Sequence, residues 1–447
     1  MHNLHLKFDH HQRSTLRPAS GHTSPSMMDM LQWVLHGVED AVQVITIGRV
    51  ARESPPMFSF NMNSSQRMGA EDGRFFSQLT HLRSLRLDCA LANIHTMACP
   101  LLQQCLINLP QLHDLVLSCN SLDAKDLEAL EPAWRHLPAL QSLDLGGNAF
   151  KGDAACSMAI ALSPQWSQST EDSGYELFKD YRAIWGLTRL EHLKLSILRR
   201  CHLPFQLETD FYYTALKGMR FSLRSLDVSG HAWLDWNYAT DFAKALTCLK
   251  HTLQHLTLMA CLQNLPLESV TMIATAVSGL ERLQSIDLSD NIISASSMGV
   301  LGPSLGCLHT TLRSLNLSYN RDLLSEDGAS HVSDALIKLT GLTYLGMSEV
   351  SGLSAGVQQL RVLTPSLAAL TKLECLNLIC SAFLTEKITI SVLAPALRQL
   401  SALTQLVVGY HFKHDKAHLV DLADNESSAV LAVMSEAILH MPACKLR

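Results

Sequence analysis

One arrangement of apolar and polar positions recurs eleven times along the chain. Each copy has the form Leu-x-x-Leu-x-Leu, and the segment between copies places apolar residues three and four positions apart. Strict alternation predicts a short strand, whereas a spacing of three and four predicts a helix that buries one side. Each repeat is therefore predicted to contain one strand and one helix. The copies begin at Leu82, Leu112, Leu140, Leu190, Leu223, Leu253, Leu283, Leu312, Leu342, Leu373 and Leu403.

The apolar positions of these copies are the predicted anchors of a shared core. Leucine fills 29 of the 33 anchor positions, and other apolar residues fill the remaining four. The copies start 28–33 residues apart, except for one interval of 50 residues between Leu140 and Leu190. Because alternate side chains of a strand face opposite ways, the anchors are expected to point inward and the intervening residues outward. A fainter copy begins at Val42 and predicts one further strand.

An asparagine ends the clearest copies, and we expect it to hydrogen-bond backbone groups where the strand bends into a turn. These asparagines are Asn120, Asn148, Asn291 and Asn320. Cys261 lies at the same turn, where a small buried thiol is expected. Turns that carry another residue are predicted to be less regular; they contain Ala90, Leu198, His231, Val350, Ser381 and His411.

Four of the helical segments contain a proline five residues before their last leucine. These prolines are Pro132, Pro303, Pro365 and Pro395. Because proline lacks an amide hydrogen and is tolerated in the first turn of a helix, we place it there. The prediction is that these helices are short or kinked.

One strand and one helix per 28–30 residues resembles the ribonuclease-inhibitor-like form of the leucine-rich repeat, over about residues 76–411. The resemblance implies an α/β fold, a right-handed solenoid of βα units shaped like a horseshoe. Its parallel sheet would line the concave side and its helices the outside. It also implies that the chain binds another protein rather than catalysing a reaction, since extended concave surfaces serve that purpose in solenoids.

The sequence divides into four predicted segments. Residues 1–26 are expected to be a flexible tail, with an organelle transit peptide as the alternative. Residues 27–75 would form an N-terminal cap with a degenerate repeat and a polar loop, and residues 76–426 the repeat array. An insertion at about 151–186 interrupts the array, and residues 427–447 would supply a capping helix and a truncated strand.

Composition and charge narrow the classes of function. A net charge of −6 argues against nucleic-acid binding, which normally needs a basic surface. No run of 18 apolar residues occurs, so no membrane span is expected. The 12 scattered cysteines predict reduced, mostly buried thiols in an intracellular protein. We therefore expect a monomer in the cytoplasm, with the nucleus or an organelle as alternatives.

No catalytic motif stands out, so no enzymatic activity and no cofactor are predicted. The segment around residues 411–418 places His411, His414 and His418 on one side of a helix, where they could hold a metal ion. No fourth ligand has a matching spacing, so we interpret these histidines as a solvated surface and predict no metal site.

The residues between the anchors are expected to line the concave face and to contact the partner. The candidates are Arg86, Asp88, Asp144, Lys194, Asp227, Asp287, Asn316 and Tyr344. The acidic members Asp144, Asp227 and Asp287 would steer a basic partner segment towards this face. Two alternatives remain: a solvated sheet that binds nothing, or binding at one edge or through the tryptophan-containing insertion.

The leading functional hypothesis is a protein-binding scaffold or adaptor. A second hypothesis is a substrate-recognition subunit of a ubiquitin ligase, although residues 1–75 show no convincing Leu-Pro motif of an F-box. A third is GTPase activation, as in a related solenoid family. Arg86 is the concave arginine available for it, but the chain lacks that family's acidic C-terminal tail.

Overall fold

The computed structural model describes residues 2–8, 42–49, 80–88, 98–120, 122, 124–148, 189–196, 216–217, 219–230, 236–263, 265–350, 357–378, 387–407 and 445–446. The chain divides into two compact units, Met1–Leu226 and Asp227–Arg447. The insertion predicted at 151–186, the polar loop of the N-terminal cap, the capping helix at 427–440 and the histidines at 411–418 lie outside the described residues.

The first unit contains a parallel sheet whose strands follow one another in chain order. These strands are β1 (His2–Phe8), β2 (Val42–Arg49), β3 (Ser84–Asp88), β4 (Asp114–Val116), β5 (Ser142–Asp144) and β6 (His192–Lys194). Its described helices are α1 (Ala98–Ile107) and α2 (Ala124–Trp134). The boundary between the units falls inside β7 (Ser225–Asp227).

The second unit repeats the same architecture with more regular spacing. Its parallel strands are β8 (His255–Thr257), β9 (Ser285–Asp287), β10 (Ser314–Asn316), β11 (Tyr344–Gly346), β12 (Cys375–Asn377), β13 (Gln405–Val407) and β14 (Lys445–Leu446). Its helices are α3 (Trp236–Cys248), α4 (Leu267–Ser278), α5 (Ala295–Gly306), α6 (Glu326–Leu336), α7 (Val357–Ala368) and α8 (Lys387–Gln399).

The anchors occupy the core as predicted. Every anchor residue from Leu82 to Leu406 is at most 6% exposed, and Val408 lies outside the described residues. The middle anchors of neighbouring strands are aligned, as in Leu315, which pairs with Ile286 on one side and Leu345 on the other. Since burying a leucine contributes roughly 1.5–3 kcal/mol, this stack of anchors dominates the stability of each unit.

The helices bury the residues that face the sheet. In α4 these include Val270, Ile273, Ala274 and Val277, which recur three and four positions apart. Their spacing is the one that predicted a helix. Together, the repeated strand, turn and helix define an α/β leucine-rich-repeat solenoid, and this confirms the predicted fold class.

The prolines were placed incorrectly by the sequence argument. Pro132, Pro303, Pro365 and Pro395 each lie inside a helix, at its ninth residue rather than in its first turn. Each helix begins eight residues before its proline, so the proline lies two to four residues before the end of the helix. In α5 the first turn is Ala-Ser-Ser-Met, and Ser294 caps it by accepting a hydrogen bond from the Ser297 amide at 3.2 Å.

The N-terminal residues also differ from the prediction. Residues 2–8, expected to lie within a flexible tail, form β1 and pair in parallel with β2. The alternation of Leu4, Leu6 and Phe8 is the sequence signal of this strand, and the prediction overlooked it.

The thiols are less buried than expected. Of the six cysteines whose side chains the structure describes, all of them free thiols, Cys105 and Cys261 are buried and Cys307 is exposed. The other three are half-buried. Cys307 caps the end of α5 and Cys375 begins β12, so both lie outside the anchor positions that the core fills.

Candidate partner-binding site

Buried asparagines fix the turn that follows each regular strand. Asn291 is 1% exposed, and its Oδ1 accepts hydrogen bonds from the amides of Cys261 and Leu262, both at 2.7 Å. Its Nδ2 donates to the carbonyls of Leu258 and Leu288, both at 2.9 Å. The predicted hydrogen bonds to backbone groups at the turn are present, and the same side chain also ties two consecutive turns together.

The same arrangement continues on both sides of Asn291. Asn320 Oδ1 accepts from the amides of Asn291 at 3.0 Å and Ile293 at 3.1 Å. In the preceding turn Cys261 takes the place of an asparagine, and its Sγ lies 3.0 Å from the Val228 carbonyl, to which it donates. Asn148 makes equivalent bonds in the first unit. These turns hold the C-terminal ends of the strands at a fixed spacing.

The strands present a row of side chains on the face opposite the anchors, which we call the outward face. Its central row consists of the residue between the second and third anchor of each repeat. In the second unit the aligned central row is Thr257, Asp287, Asn316, Gly346, Asn377 and Val407. In the first unit it is Arg86, Val116, Asp144 and Lys194.

The central row is less exposed than the sequence suggested. Arg86 and Lys194 are exposed, whereas Asp144, Asp287 and Asn316 are half-buried. Val116 and Gly346 are buried, although both were assigned to the outward row. The half-buried members of the row have short side chains that their neighbours partly cover, since parallel strands lie only about 4.8 Å apart.

The acidic candidates share one structural role that the sequence argument missed. In Asp144, Asp227 and Asp287, Oδ1 accepts a hydrogen bond from the amide two residues later, at 2.8, 2.9 and 2.8 Å. Asn316 Oδ1 does the same for the Ser318 amide at 3.1 Å. This is an Asx turn, in which the side chain gives the amide two residues later a hydrogen-bond acceptor where the strand ends. The sequence signal is an Asp or Asn followed two residues later by Ser or Gly.

In the second unit a chain of hydrogen bonds crosses the outward face from β9 to β12. Asn316 Nδ2 donates to Asp287 Oδ2 at 3.0 Å. Further along, the Ser348 amide donates to Ser318 Oγ at 3.1 Å, and Ser348 Oγ donates to Asn377 Oδ1 at 2.8 Å. Such a connected network holds its side chains in place and gives this part of the face a fixed shape.

Tyr344 lies beside this network on the neighbouring row. Its ring is half-buried, and burial raises the pKa of its phenol above the ordinary value; a hydrogen bond with Asn377 opposes the shift. The phenol therefore remains protonated at neutral pH. Tyrosine combines an apolar ring with a polar end and is a frequent binding hot spot in protein interfaces.

The structure thus divides the predicted site residues between the two units. In the first, Asp144 and Lys194 are neighbours in the central row, with Lys194 Nζ 3.6 Å from Asp144 Oδ2, and Arg86 lies two strands away from Asp144. Asp88 is the last residue of β3. In the second, Asn316 contacts Asp287 directly, and Tyr344 starts the strand that pairs with β10.

The sequence argument also missed the apolar side chains of the turns. In the second unit Met259, Ile292 and Tyr319 are 37%, 57% and 45% exposed. Ile292 and Tyr319 have φ angles of 51° and 62°, in the left-handed region that disfavours branched and bulky residues. Glycine or asparagine would be the expected residue at a positive φ. The sequence pattern therefore does not predict an exposed apolar side chain at these two turn positions.

Two other kinds of site were sought in the part of the chain that the structure describes. These residues contain no group of three or more His, Cys, Asp and Glu side chains that could hold a metal ion. Their helices are also too short or too polar to cross a lipid bilayer.

The repeated leucine core, the asparagine turns and the outward face define the class of this protein as a leucine-rich-repeat solenoid. Among solved structures it is similar to the leucine-rich repeat-containing protein LegL7 from Legionella pneumophila, with 16% identity, a TM-score of 0.45 and coverage of 78% of this chain and 96% of that chain. It is also similar to an internalin, InlF, from Listeria monocytogenes, with 16% identity, a TM-score of 0.39 and coverage of 88% and 91%. At these values neither protein indicates what the present chain binds. No protein-family model and no curated protein matches the sequence.

Proposed function

We propose that this chain is a non-enzymatic scaffold that binds a partner protein through the outward face of its second unit. The observation that carries the proposal is the asymmetry of the parallel sheet. The anchors on one face are buried, whereas Thr257, Asp287, Asn316 and Asn377 on the other face remain partly exposed. All-parallel sheets normally have both faces covered, so an open face is available for another protein.

The chemistry of the face favours a partner with a basic segment. Asp227 and Asp287 place two carboxylates on it, and each uses Oδ1 for its turn. Asp287 Oδ2 accepts an amide hydrogen bond from Asn316, which leaves the negative charge in place. Tyr344 supplies a rigid aromatic contact beside these charges, and the hydrogen-bonded network reduces the conformational entropy lost on binding.

The proposal extends to the repeat subclass, the compartment, the oligomeric state and the absence of a cofactor. We assign the repeats to the ribonuclease-inhibitor-like subclass, because an α-helix of 10–13 residues stands between consecutive strands in the regular repeats. We also propose a cytoplasmic monomer without a cofactor. The ubiquitin-ligase and GTPase-activating alternatives stay predictions, and no contact of the described residues favours either.

Asparagine substitution removes the charge and keeps the turn acceptor Oδ1. At Asp287 it also replaces Oδ2, which accepts from Asn316 Nδ2, by a second donor, so Asp227→Asn alone serves as the variant that changes only the charge. The double variant Asp227→Asn/Asp287→Asn should fold, since Asn316 fills the equivalent role in the wild type. Its affinity for a partner recovered by pull-down and then purified should fall about tenfold, equal to about 1.4 kcal/mol. Titration by calorimetry at low salt measures this change.

The matched control removes two charges elsewhere on the second unit. Glu281→Gln/Asp334→Asn alters exposed acids away from the outward face and should leave the affinity unchanged. If both double variants bind the partner as tightly as the wild type, the outward face is not the binding site.

A further inference from the structure

The first residues of β8 to β11 form one row across the outward face, with two short side chains between two long ones. In this row His255 pairs with Ser285, Ser285 with Ser314, and Ser314 with Tyr344. Neighbouring parallel strands lie about 4.8 Å apart, so the backbones of His255 and Tyr344 are roughly 14 Å apart. The row therefore contains a slot, which we call the serine slot, with Ser285 and Ser314 as its floor and His255 and Tyr344 as its sides.

Asp287 brings a negative charge to the serine slot. It follows Ser285 by two residues on β9 and therefore lies on the same face of the sheet. Its Oδ1 accepts from the Ser289 amide at 2.8 Å and its Oδ2 from Asn316 Nδ2 at 3.0 Å, and both donors are neutral. Among the residues that the structure describes, no lysine, arginine or histidine forms a salt bridge with Asp287. Each carboxylate oxygen can accept a further hydrogen bond, so the charge is available to a cation.

Tyr344 forms the side of the slot next to Ser314. Its phenol is hydrogen-bonded to Asn377 on β12, the strand that pairs with β11 on the other side from Ser314. Burial is the largest cause of the raised pKa of this phenol, and the charge of Asp287 adds to it, so the carboxylate lies near the ring. Because Ser314 is short, it does not cover the part of the ring that faces β10. The slot therefore combines a fixed aromatic ring with a nearby carboxylate.

The floor of the slot supplies two more polar groups. Ser285 and Ser314 are half-buried, and in the described part of the chain neither hydroxyl has a hydrogen-bond partner. Each hydroxyl can donate one hydrogen bond and accept two. Together with Asp287 they offer several acceptors to a ligand that carries more than one N–H group.

We propose that the serine slot binds one arginine side chain of the partner protein. This inference rests on the proposed binding function and names the residue that the partner contributes to the outward face. The guanidinium donates to Asp287 and to the serine hydroxyls, and its flat side stacks on the ring of Tyr344. Lysine fits less well, because its ammonium group is compact and strongly hydrated and has no plane to stack.

The first test changes the ligand and leaves the protein as it is. A displayed library of random dodecapeptides is selected against the full chain, and the enriched peptides should share an arginine. Replacing this arginine by citrulline keeps its shape but removes its charge, and should weaken binding at least about tenfold in fluorescence anisotropy. Replacing it by lysine keeps the charge but loses the planar N–H groups, and should weaken binding about fivefold.

The second test fills the slot. Ser314→Leu leaves Asp287 and Tyr344 in place and should weaken binding of the arginine peptides at least about tenfold, because the added side chain occupies the space of the guanidinium. The matched control Ser142→Leu makes the same change at the first residue of β5 in the first unit, also half-buried, and should leave binding unchanged. Thermal melting of both variants checks that they fold, and the citrulline comparison decides the question if Ser314→Leu does not.

Three results would overturn the inference. They are equal binding of the arginine and citrulline peptides, equal binding by a folded Ser314→Leu variant and the wild type, and a selection that enriches no arginine. The proposed function is decided separately, by the affinity of the purified partner for Asp227→Asn. A partner weakened by Asp227→Asn but not by Ser314→Leu would refute the serine slot and leave the proposed function intact.

Discussion

Replacing Asn291 by alanine should destabilise the second unit far more than its small change in volume suggests. The substitution deprives the amides of Cys261 and Leu262 of their common acceptor, 2.7 Å away in each case. The Leu288 carbonyl loses one donor but keeps another, because Asn320 Nδ2 also donates to it at 3.0 Å. The Cys261 amide also donates to the Leu258 carbonyl at 3.3 Å, so the cost comes mainly from the Leu262 amide.

The magnitude follows from burial. A buried donor left without an acceptor costs about 1–3 kcal/mol, so Asn291→Ala should lower the free energy of unfolding by about 2 kcal/mol. For a unit of this size, that loss corresponds to roughly 4–8 °C in melting temperature. The control Asn316→Ala removes two bonds on the half-buried outward face, where water can replace them, and should cost no more than about 1 kcal/mol.

Urea unfolding and amide hydrogen exchange together test this reasoning. Exchange should accelerate at Cys261 and Leu262, while the amide of Leu378, which donates to the Val407 carbonyl at 2.8 Å, stays protected. Repeat proteins transmit stability mainly between neighbouring repeats, so the effect should fade with distance from the variant. Equal losses of stability in Asn291→Ala and Asn316→Ala would refute the assigned role of the buried asparagine.

Two further changes test the core and the titration of the outward face. Leu315→Ala removes a fully buried anchor and should lower the free energy of unfolding by urea by about 2–5 kcal/mol. The control Leu267→Ala, at a residue 42% exposed, should lower it by less than about 1 kcal/mol. Similar losses for the two variants would contradict the assigned core. Because the pKa of Tyr344 is raised in the folded chain, the folded state keeps its proton after the unfolded state has lost it. Stability should therefore fall as the pH rises above about 10. Tyr344→Phe should flatten this part of the stability profile, and an unchanged slope would contradict the assigned burial of the phenol.

The repeat could be predicted because its signal is redundant. Leu315 alone predicts nothing, but recurrence of the same apolar alternation at regular spacing identifies both the strand and the side that is buried. The turn asparagines were predictable for the same reason, since Asn291 and Asn320 follow the strand at a constant position. The outward row followed from alternation, and its in-register neighbours were therefore located correctly from the sequence.

The roles of individual side chains could not be predicted, because they depend on local geometry and the periodicity of the sequence gives no information about it. Asp287 was predicted to face a partner, but the sequence argument did not show that one carboxylate oxygen already holds the Ser289 amide. The positive φ of Ile292 was equally inaccessible, because the bonds to Asn320 that impose it come from the next repeat. Interactions between repeats thus override local backbone preference at these turns.

The Asx turns allow the charge of the outward face to change during evolution. Asp287 and Asn316 end neighbouring strands with the same hydrogen bond, although one is charged and the other is neutral. Exchange between aspartate and asparagine at these sites preserves the acceptor atom and hence the turn. Single substitutions can therefore shift the electrostatic preference of the molecule stepwise, repeat by repeat, without rebuilding the scaffold beneath.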